Sequence, residues 1–245
     1  MNKAIILSAG EGSRLKNISR FKPIVKIYGT SLLELTYQNL NLKEFQQVSI
    51  ILHEDQRQMD LSLLPCLSNI NCNHFFKTTR SSMHSLYEAC MRMKLQPGEH
   101  FFVTMVDSIV RPSDAKKFHK FCHTLKANES AIMATSFIDD EMPLTLKVSP
   151  NGDVESFQCP LGNDILVTSG VYYFSEHIRP LLFMMVETGQ LKMRNFLTEL
   201  VKLNHKIKVF HVTKTLDIDR PQDIKIAEDF LMEYELELNN EMDTI

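Results

Sequence analysis

Short apolar runs recur along the chain and alternate with longer segments that have helical spacing. The runs are almost entirely apolar, which is typical of strands buried on both faces of a parallel sheet. They lie at residues 4–7, 48–52, 101–106, 131–135 and 167–174. Amphipathic helices are predicted at residues 31–40, 81–93, 112–125 and 192–203. The alternation predicts a single-domain, three-layer α/β fold with a mostly parallel central sheet.

Two strand-like segments, at 144–148 and 153–157, interrupt this alternation. They flank Ser149-Pro150-Asn151-Gly152, and Asn-Gly between two strands is a strong hairpin signal. We therefore expect an antiparallel hairpin or subsheet beside the parallel strands.

The two ends of the chain differ in composition. Residues 228–245 are acidic and predict a helix with a frayed tail, so we place one domain at 1–232 and an acidic helix end or tail at 233–245. The apolar run that follows Met1-Asn2-Lys3 is too short for a signal peptide, and no run approaches the roughly 20 apolar residues of a membrane span. These features predict a soluble, cytoplasmic protein with no membrane partner.

Charge and cysteine content exclude several functional classes. The formal net charge of −3 provides no basic field for duplex nucleic acid, so nucleic acid is not an expected partner. The five cysteines are an odd number and include no C-x-x-C pair, which argues against a zinc or redox motif. We interpret them as reduced thiols that mostly fill the core.

A glycine-rich turn follows the first predicted strand. It reads Leu7-Ser8-Ala9-Gly10-Glu11-Gly12-Ser13-Arg14-Leu15, and its small residues would let phosphates approach backbone N–H groups. A dinucleotide fingerprint or a Walker loop would need glycine at Leu15, so both common phosphate motifs are excluded. Arg14 and Lys22 can deliver two cations to one triphosphate and neutralise charge that develops during phosphate chemistry.

This turn together with Lys22-Pro23 resembles the opening motif of the sugar-phosphate nucleotidyltransferases. The chain departs from the usual L-A-A-G-x-G-[ST]-R-L and P-K-P-L at Ser8 and Phe21, and neither change removes a charge. The resemblance implies a Rossmann-like (GT-A-like) fold and transfer of a nucleoside monophosphate to a phosphorylated small molecule, with release of pyrophosphate. Arg14 and Lys22 would be catalytic. The nucleotide-binding residues of the turn would be Leu7, Ala9, Gly10, Glu11, Gly12 and Ser13.

Carboxylates at predicted strand ends are candidates to bind Mg²⁺, which prefers one or two carboxylates plus water and phosphate oxygens. Asp107 ends the apolar run 101–106 and resembles the metal-binding aspartate of the family. The segment Leu216-Asp217-Ile218-Asp219-Arg220-Pro221 resembles the family's closing motif. Alternation along an extended segment suggests that only one of its two aspartates reaches the metal. We favour Asp217, and Asp219 remains the alternative.

The middle of the chain supplies further candidates. Thr79, Arg80 and Ser85 lie where the family segment borders the nucleotide base, and Gly170 lies where a family glycine leaves room for the acceptor. Many sugar-nucleotide members carry Glu-Lys-Pro before that strand, whereas this chain has Gln158-Cys159-Pro160. Either Lys147, Arg194 or another cation then holds the acceptor phosphate, or the acceptor is not an ordinary hexose 1-phosphate.

The substrates stay open at this point. CTP or UTP is the favoured nucleotide, and the acceptor is a sugar 1-phosphate or a phosphocholine-like or phosphonate-like molecule, as in precursor synthesis for cell-surface polysaccharides or lipids. Alternatives are a guanylyltransferase of the molybdenum-cofactor type and a catalytically silent, nucleotide-binding regulatory subunit. A homo-oligomer is compatible with the sequence.

Overall fold

The computed structural model describes residues 3–10, 12–42, 45–139, 142–162 and 164–242. The strands are β1 Lys3–Ser8, β2 Lys26–Ile27, β3 Thr30–Ser31, β4 Gln47–Leu52, β5 Cys72–Phe76, β6 His100–Met105, β7 Ser108–Ile109, β8 Glu129–Thr135, β9 Thr145–Val148, β10 Val154–Phe157, β11 Ile165–Ser175, β12 Lys206–Val212 and β13 Leu216–Asp217. The α-helices are α1 Leu32–Asn39, α2 Ser82–Arg92, α3 Pro112–Cys122, α4 Arg179–Glu187, α5 Met193–Lys202 and α6 Pro221–Met242.

Nine of the described strands form one sheet, whose main path runs β10-β9-β11-β6-β1-β4-β5, while β8 pairs with β11 and β12. The pairs β1–β4, β1–β6, β4–β5 and β8–β12 are parallel. Strand β11 is antiparallel to β6, β8 and β9, and β10 is antiparallel to β9. Within the described sheet, only β10 and β11 therefore run against the common direction, which confirms the mostly parallel sheet with antiparallel strands.

Helices cover both faces of the sheet, as the three-layer prediction requires. Alternate residues of β1 enter opposite cores: Ala4 and Ile6 face one side, and Ile5 and Leu7 face the other. Buried residues of α1, α3 and α6 join the first core, and those of α2, α4 and α5 join the second. Because both faces are covered, the central strands are almost entirely apolar, which is the pattern seen in the sequence.

All five apolar runs form strands, and the four predicted helices form α1, α2, α3 and α5 with ends that differ by a few residues. The predicted hairpin is β9–β10, closed by residues that include Gly152 at φ 77°. The pattern did not reveal α4, because Arg179–Glu187 is apolar over most of its circumference and lacks a helical period. It also missed β12, in which only Ile207 and Val212 are fully buried. The boundary proposed after residue 232 lies inside the continuous helix α6.

Two small ribbons outside the main sheet shape its carboxyl edge. Strands β2 and β3 pair after the glycine turn, and β7 pairs with β13, which brings the chain after β6 against the segment before α6. Over the described residues, no helix is both long and apolar enough to cross a membrane.

Candidate active site

The glycine turn leaves β1 at the carboxyl edge of the sheet, where open α/β sheets bind ligands. Gly12 has φ 57°, and a Cβ atom on it would lie 2.8 Å from Lys22 Cβ. Gly12 therefore lets the chain turn back and brings Lys22 against the turn. A Cβ on Gly10 would meet nothing within 4 Å, so Gly10 faces open space. Glu11 lies outside the described residues, and of Ser13 only the backbone, in a short 3₁₀ turn, is described.

Lys22 is the buried cation of the site, with only 7% of its side chain exposed. Its Nζ atom lies 2.5 Å from Asp107 Oδ2 and 2.6 Å from Asp219 Oδ1. Burial by itself would lower the pKa of Lys22, but the carboxylates of Asp107 and Asp219 outweigh it and raise that pKa. Lys22 is thus a permanent positive charge that connects two segments more than a hundred residues apart in sequence.

The ribbon of β7 and β13 holds Asp217 close to Asp107. Asp217 pairs directly with Ser108 in this ribbon, and the Ile218 amide donates a 3.0 Å hydrogen bond to the Asp107 carbonyl. The Asp217 side chain is exposed at the carboxyl edge of the sheet, but nearby protein atoms displace part of the water around its carboxyl. This desolvation, followed by repulsion from the Asp107 carboxylate, raises the pKa of Asp217.

The three aspartates differ in their charged neighbours. Asp107 and Asp219 both pair with Lys22, whereas Asp217 lies beside the Asp107 carboxylate and forms no ion pair in the described residues. A divalent cation held by Asp107 and Asp217 would relieve the repulsion between these two carboxylates. Two carboxylates with open space for water and phosphate fit Mg²⁺, and no preformed cluster of three His, Cys, Asp or Glu ligands occurs in the described part of the chain.

Two cavities that share lining residues flank the glycine turn. The first, which we call the turn cavity, has a volume of about 370 Å³ and is lined by Leu7, Gly10, Gly12, Arg14, Lys22, Met105, Val106, Asp107 and Asp219. The second, the α2 cavity, has a volume of 270 Å³ and is lined by Leu7, Ala9, Gly10, Thr79, Arg80, Ser81, Ser82, Ser85 and Met105. Every described candidate for nucleotide contact except Ser13 lies in one of these linings, and the two share Leu7, Gly10 and Met105.

The polar side chains of the α2 cavity form hydrogen bonds at the start of helix α2. Thr79 Oγ1 and Ser85 Oγ are 2.7 Å apart, and the Arg80 amide donates to His84 Nδ1 at 3.3 Å. Ser81 caps the helix by accepting from the His84 amide, and its hydroxyl donates to the Leu191 carbonyl. The Arg80 side chain is exposed, so it is available to a ligand.

A third cavity, the β11 cavity, lies on the other side of Met105 and has a volume of 380 Å³. Asp107, Asp217 and Asp219 line its inner end. Much of the rest is apolar, formed by Phe137, Ile138, Met142, Pro143, Leu144, Val167 and Met193. Burial raises the pKa of Tyr172, also in this lining, to about 12, so its hydroxyl stays protonated at neutral pH.

Of the three acceptor candidates, Gly170 and Arg194 line the β11 cavity and Lys147 does not. Lys147 is exposed on β9 and pairs with Glu155 at 3.1 Å. Gly170 has φ 73°, and a Cβ on it would lie 2.3 Å from Ser108 Oγ and 3.0 Å from Met105 Cγ. The space left by the missing side chain is therefore filled by protein atoms.

Lys192 lines the β11 cavity but was not among the candidates predicted from the sequence. It precedes α5 and lines the β11 cavity with Arg194, whose Nη2 donates to the Met142 carbonyl at 3.1 Å. Lys192 forms no salt bridge with any carboxylate in the described residues. Its position two residues before Arg194 at the start of an amphipathic helix was the available signal.

Comparisons with solved structures agree with this fold. The inositol-1-phosphate CTP transferase of T. maritima has a TM-score of 0.76 at 19% identity, with 96% of both chains covered. A putative glucose-1-phosphate thymidylyltransferase of Bacillus anthracis, in complex with a sucrose, has a TM-score of 0.77 at 13% identity, covering 94% of this chain and 95% of that one. The CTP:phosphocholine cytidylyltransferase of Streptococcus pneumoniae has a TM-score of 0.71 at 19% identity, covering 94% and 99%. These identities support the fold alone.

Two further comparisons used the amino-acid sequence rather than the fold. A search of curated proteins found no significant match. The family profile described as nucleotidyl transferase matches residues 3–218, which include the glycine turn, Lys22, Asp107 and Asp217. This match spans most of the 245 residues, and the chain belongs to the nucleotidyl transferase family.

Proposed function

We propose that this protein transfers a nucleoside monophosphate from a nucleoside triphosphate to a phosphorylated small molecule and releases pyrophosphate. The observation that carries the proposal is the buried Lys22, which bridges Asp107 and Asp219 where the turn cavity meets the β11 cavity. One cavity can hold a triphosphate beside a fixed cation, and the other can present an acceptor to it.

The reaction that fits this arrangement is a direct in-line displacement. An oxygen of the acceptor phosphate attacks the α-phosphorus of the nucleotide, and the bond from that phosphorus to the bridging oxygen of pyrophosphate breaks. Lys22 and Arg14 offset negative charge on the phosphates as the bond breaks, because fixed cations stabilise such charge without reorganising. No covalent intermediate with the protein is needed.

Asp107 and Asp217 are the residues that would hold Mg²⁺. The bound ion would neutralise phosphate charge at the reacting centre. Asp219 keeps Lys22 in place, and the neighbouring Gly12 allows its backbone to approach the turn.

Lys192 and Arg194 are the cations we assign to the acceptor phosphate, in place of the lysine that is missing before Pro160. The β11 cavity lining combines apolar residues with Ser, Thr and Asp side chains that can hydrogen-bond hydroxyl groups. A phosphocholine-like or phosphonate-like molecule and a sugar 1-phosphate are therefore both acceptor candidates. CTP or UTP remains the nucleotide we favour.

A substrate panel tests this function. The protein is incubated with Mg²⁺, one of CTP, UTP, GTP, ATP or dTTP, and one of phosphocholine, 2-aminoethylphosphonate or glucose 1-phosphate, and pyrophosphate release is followed. We expect release with one nucleotide and one acceptor class. Nucleotide binding without release from any pair would instead favour a silent regulatory subunit, and GTP with molybdenum cofactor tests the guanylyltransferase alternative.

Alanine variants of Lys22 and Arg14 test whether these two cations take part in the transfer reaction. Lys22→Ala and Arg14→Ala should each reduce turnover by about 100-fold, the usual cost of one lost charge-stabilising donor. Arg14 is exposed, so its variant separates catalysis from folding, and the exposed Lys26→Ala is the matched control. Near-normal turnover in Arg14→Ala and Lys22→Ala would contradict their assigned role.

A further inference from the structure

Ser108 lies next to Asp217, one of the two carboxylates assigned to the metal. It is the cross-strand partner of Asp217 in the β7–β13 ribbon, and opposite residues of an antiparallel pair point to the same face. The Ser108 hydroxyl donates a 3.1 Å hydrogen bond to Asp217 Oδ1. Among the described residues, no other side chain forms a hydrogen bond with Asp217.

Gly170 explains why the hydroxyl can occupy that position. A Cβ on Gly170 would lie 2.3 Å from Ser108 Oγ, far inside van der Waals contact. Ser108 has a single side-chain torsion, so its hydroxyl could avoid such a methyl group only by rotating away from its present place. That rotation would break the hydrogen bond to Asp217.

We propose that Ser108 is a positioning residue for the Asp217 carboxylate and that Gly170, whose φ of 73° already favours glycine, also leaves the space that the Ser108 hydroxyl needs. The proposal rests on the proposed function, in which Asp217 holds a divalent ion. One Asp217 oxygen is held by Ser108, which leaves the other to face the cleft. An oriented carboxylate binds a cation better than one that must first lose its rotational freedom.

The alternative is that Ser108 serves only the fold. Ser169 provides the comparison, because it neighbours Gly170 on β11, is equally buried and donates a 2.9 Å hydrogen bond to the Met133 carbonyl. Its bond holds backbone rather than a carboxylate. Loss of Ser169 should therefore lower thermal stability without changing cation affinity.

The test is Mn²⁺ binding, followed by electron paramagnetic resonance, in the presence of the α,β-methylene analogue of the nucleotide that the wild type uses. We expect Ser108→Ala to weaken Mn²⁺ binding by about 10- to 100-fold, as is typical when a group that orients a metal ligand is lost. Ser169→Ala should bind Mn²⁺ like the wild type. In turnover, Ser108→Ala should raise the half-saturating Mg²⁺ concentration while kcat at saturating Mg²⁺ changes little.

Gly170→Ala completes a double-mutant cycle. Its left-handed φ of 73° and the 3.0 Å approach to Met105 Cγ act in both backgrounds, so the coupling between the two changes is the readout. Gly170→Ala should weaken Mn²⁺ binding more in the wild type than in Ser108→Ala, where the clashing hydroxyl is gone. Equal weakening in both backgrounds would overturn the link between Gly170 and Ser108. Wild-type Mn²⁺ affinity in Ser108→Ala would overturn the positioning role, whereas a wild type that neither binds Mn²⁺ nor releases pyrophosphate would contradict the proposed function itself.

Discussion

Gly10 and Gly12 stand two residues apart, yet the structure requires glycine at them for different reasons. Gly12 combines φ 57° with a close approach to Lys22, while Gly10 borders open space in both the turn cavity and the α2 cavity. A side chain at residue 12 would strain the protein, and one at residue 10 would intrude where a ligand would lie.

We therefore expect alanine at these two positions to affect different properties, folding stability at Gly12 and nucleotide binding at Gly10. Gly12→Ala should destabilise the fold by about 2–4 kcal/mol, since it adds a left-handed strain to a steric clash. Gly10→Ala should leave the free energy of unfolding nearly unchanged but weaken nucleotide binding. Urea denaturation and nucleotide titration measure the two quantities. Gly29→Ala, at φ 77° with nothing within 4 Å, is the control for backbone strain alone.

Asp217 and Asp219 also differ, although only Ile218 separates them. Asp217→Asn should raise the half-saturating Mg²⁺ concentration at least about tenfold. It should also raise the thermal midpoint without divalent ions, by less than about 2 °C, because it removes repulsion from Asp107 that solvent partly screens at this exposed carboxylate.

Asp219→Asn should behave differently, because that carboxylate is paired with Lys22 and its side chain is 49% exposed. We expect a severalfold higher KM for the nucleotide and an almost unchanged Mg²⁺ requirement. If Asp219→Asn shifted the Mg²⁺ requirement more than Asp217→Asn, the division of roles would have to be reversed.

At the scale of elements, Arg220 joins the start of α6 to the loop after β8. Its Nη2 atom lies 3.3 Å from Asp139 Oδ1 and 3.1 Å from Asp223 Oδ1. Asp223 in turn accepts hydrogen bonds from the backbone amides of Asp219 and Arg220. The segment that carries Asp217 and Asp219 is thereby connected to a loop that lines the β11 cavity.

Arg220→Ala should loosen that loop and raise the KM for the acceptor about three- to tenfold, a modest change because the ion pairs are partly exposed. The KM for the nucleotide should change less than about twofold, since the turn cavity does not contain Arg220. Steady-state kinetics with each substrate varied in turn provides the measurement, and Arg57→Ala, an exposed pair partner of Glu54, is the control. An equal rise in both KM values would show that Arg220 acts on the whole site.

At the scale of the whole molecule, the three cavities and the partly buried histidine His205 lie at opposite edges of the sheet. The three cavities open at the carboxyl ends of β1, β6 and β8. At the amino end of β8, Ser130 Oγ lies 2.8 Å from His205 Nε2. Burial, followed by the nearby His177 and His100, lowers the pKa of His205 to about 4.

This histidine predicts a loss of stability in mild acid. The unfolded chain protonates His205 near pH 6.5, whereas the folded chain does so only near pH 4, so between these values the unfolded state binds more protons. The free energy of unfolding should fall through that window by about 2 kcal/mol, less than the full pKa shift implies because the ring keeps some contact with water.

Urea denaturation from pH 7 to pH 4 measures this dependence. His205→Gln should flatten it, because an amide can hydrogen-bond Ser130 without titrating in that range. His211→Gln, at an exposed histidine, should retain the wild-type slope. An unchanged slope in His205→Gln would assign the acid sensitivity to other groups.

The sequence by itself determined the layered sheet, the glycine turn and the position of Asp107. These features are local: a strand buried on both faces must be apolar throughout, and a turn that approaches a ligand needs small residues. The reversed direction of β11, the exclusion of Lys147 from the cavity lining and the presence of Lys192 in it were decided by the tertiary structure. So were the Lys22–Asp219 pair and the contact of Gly170 with Ser108. Each depends on which distant segments pack together, and packing is a property of the whole chain that no local spacing encodes.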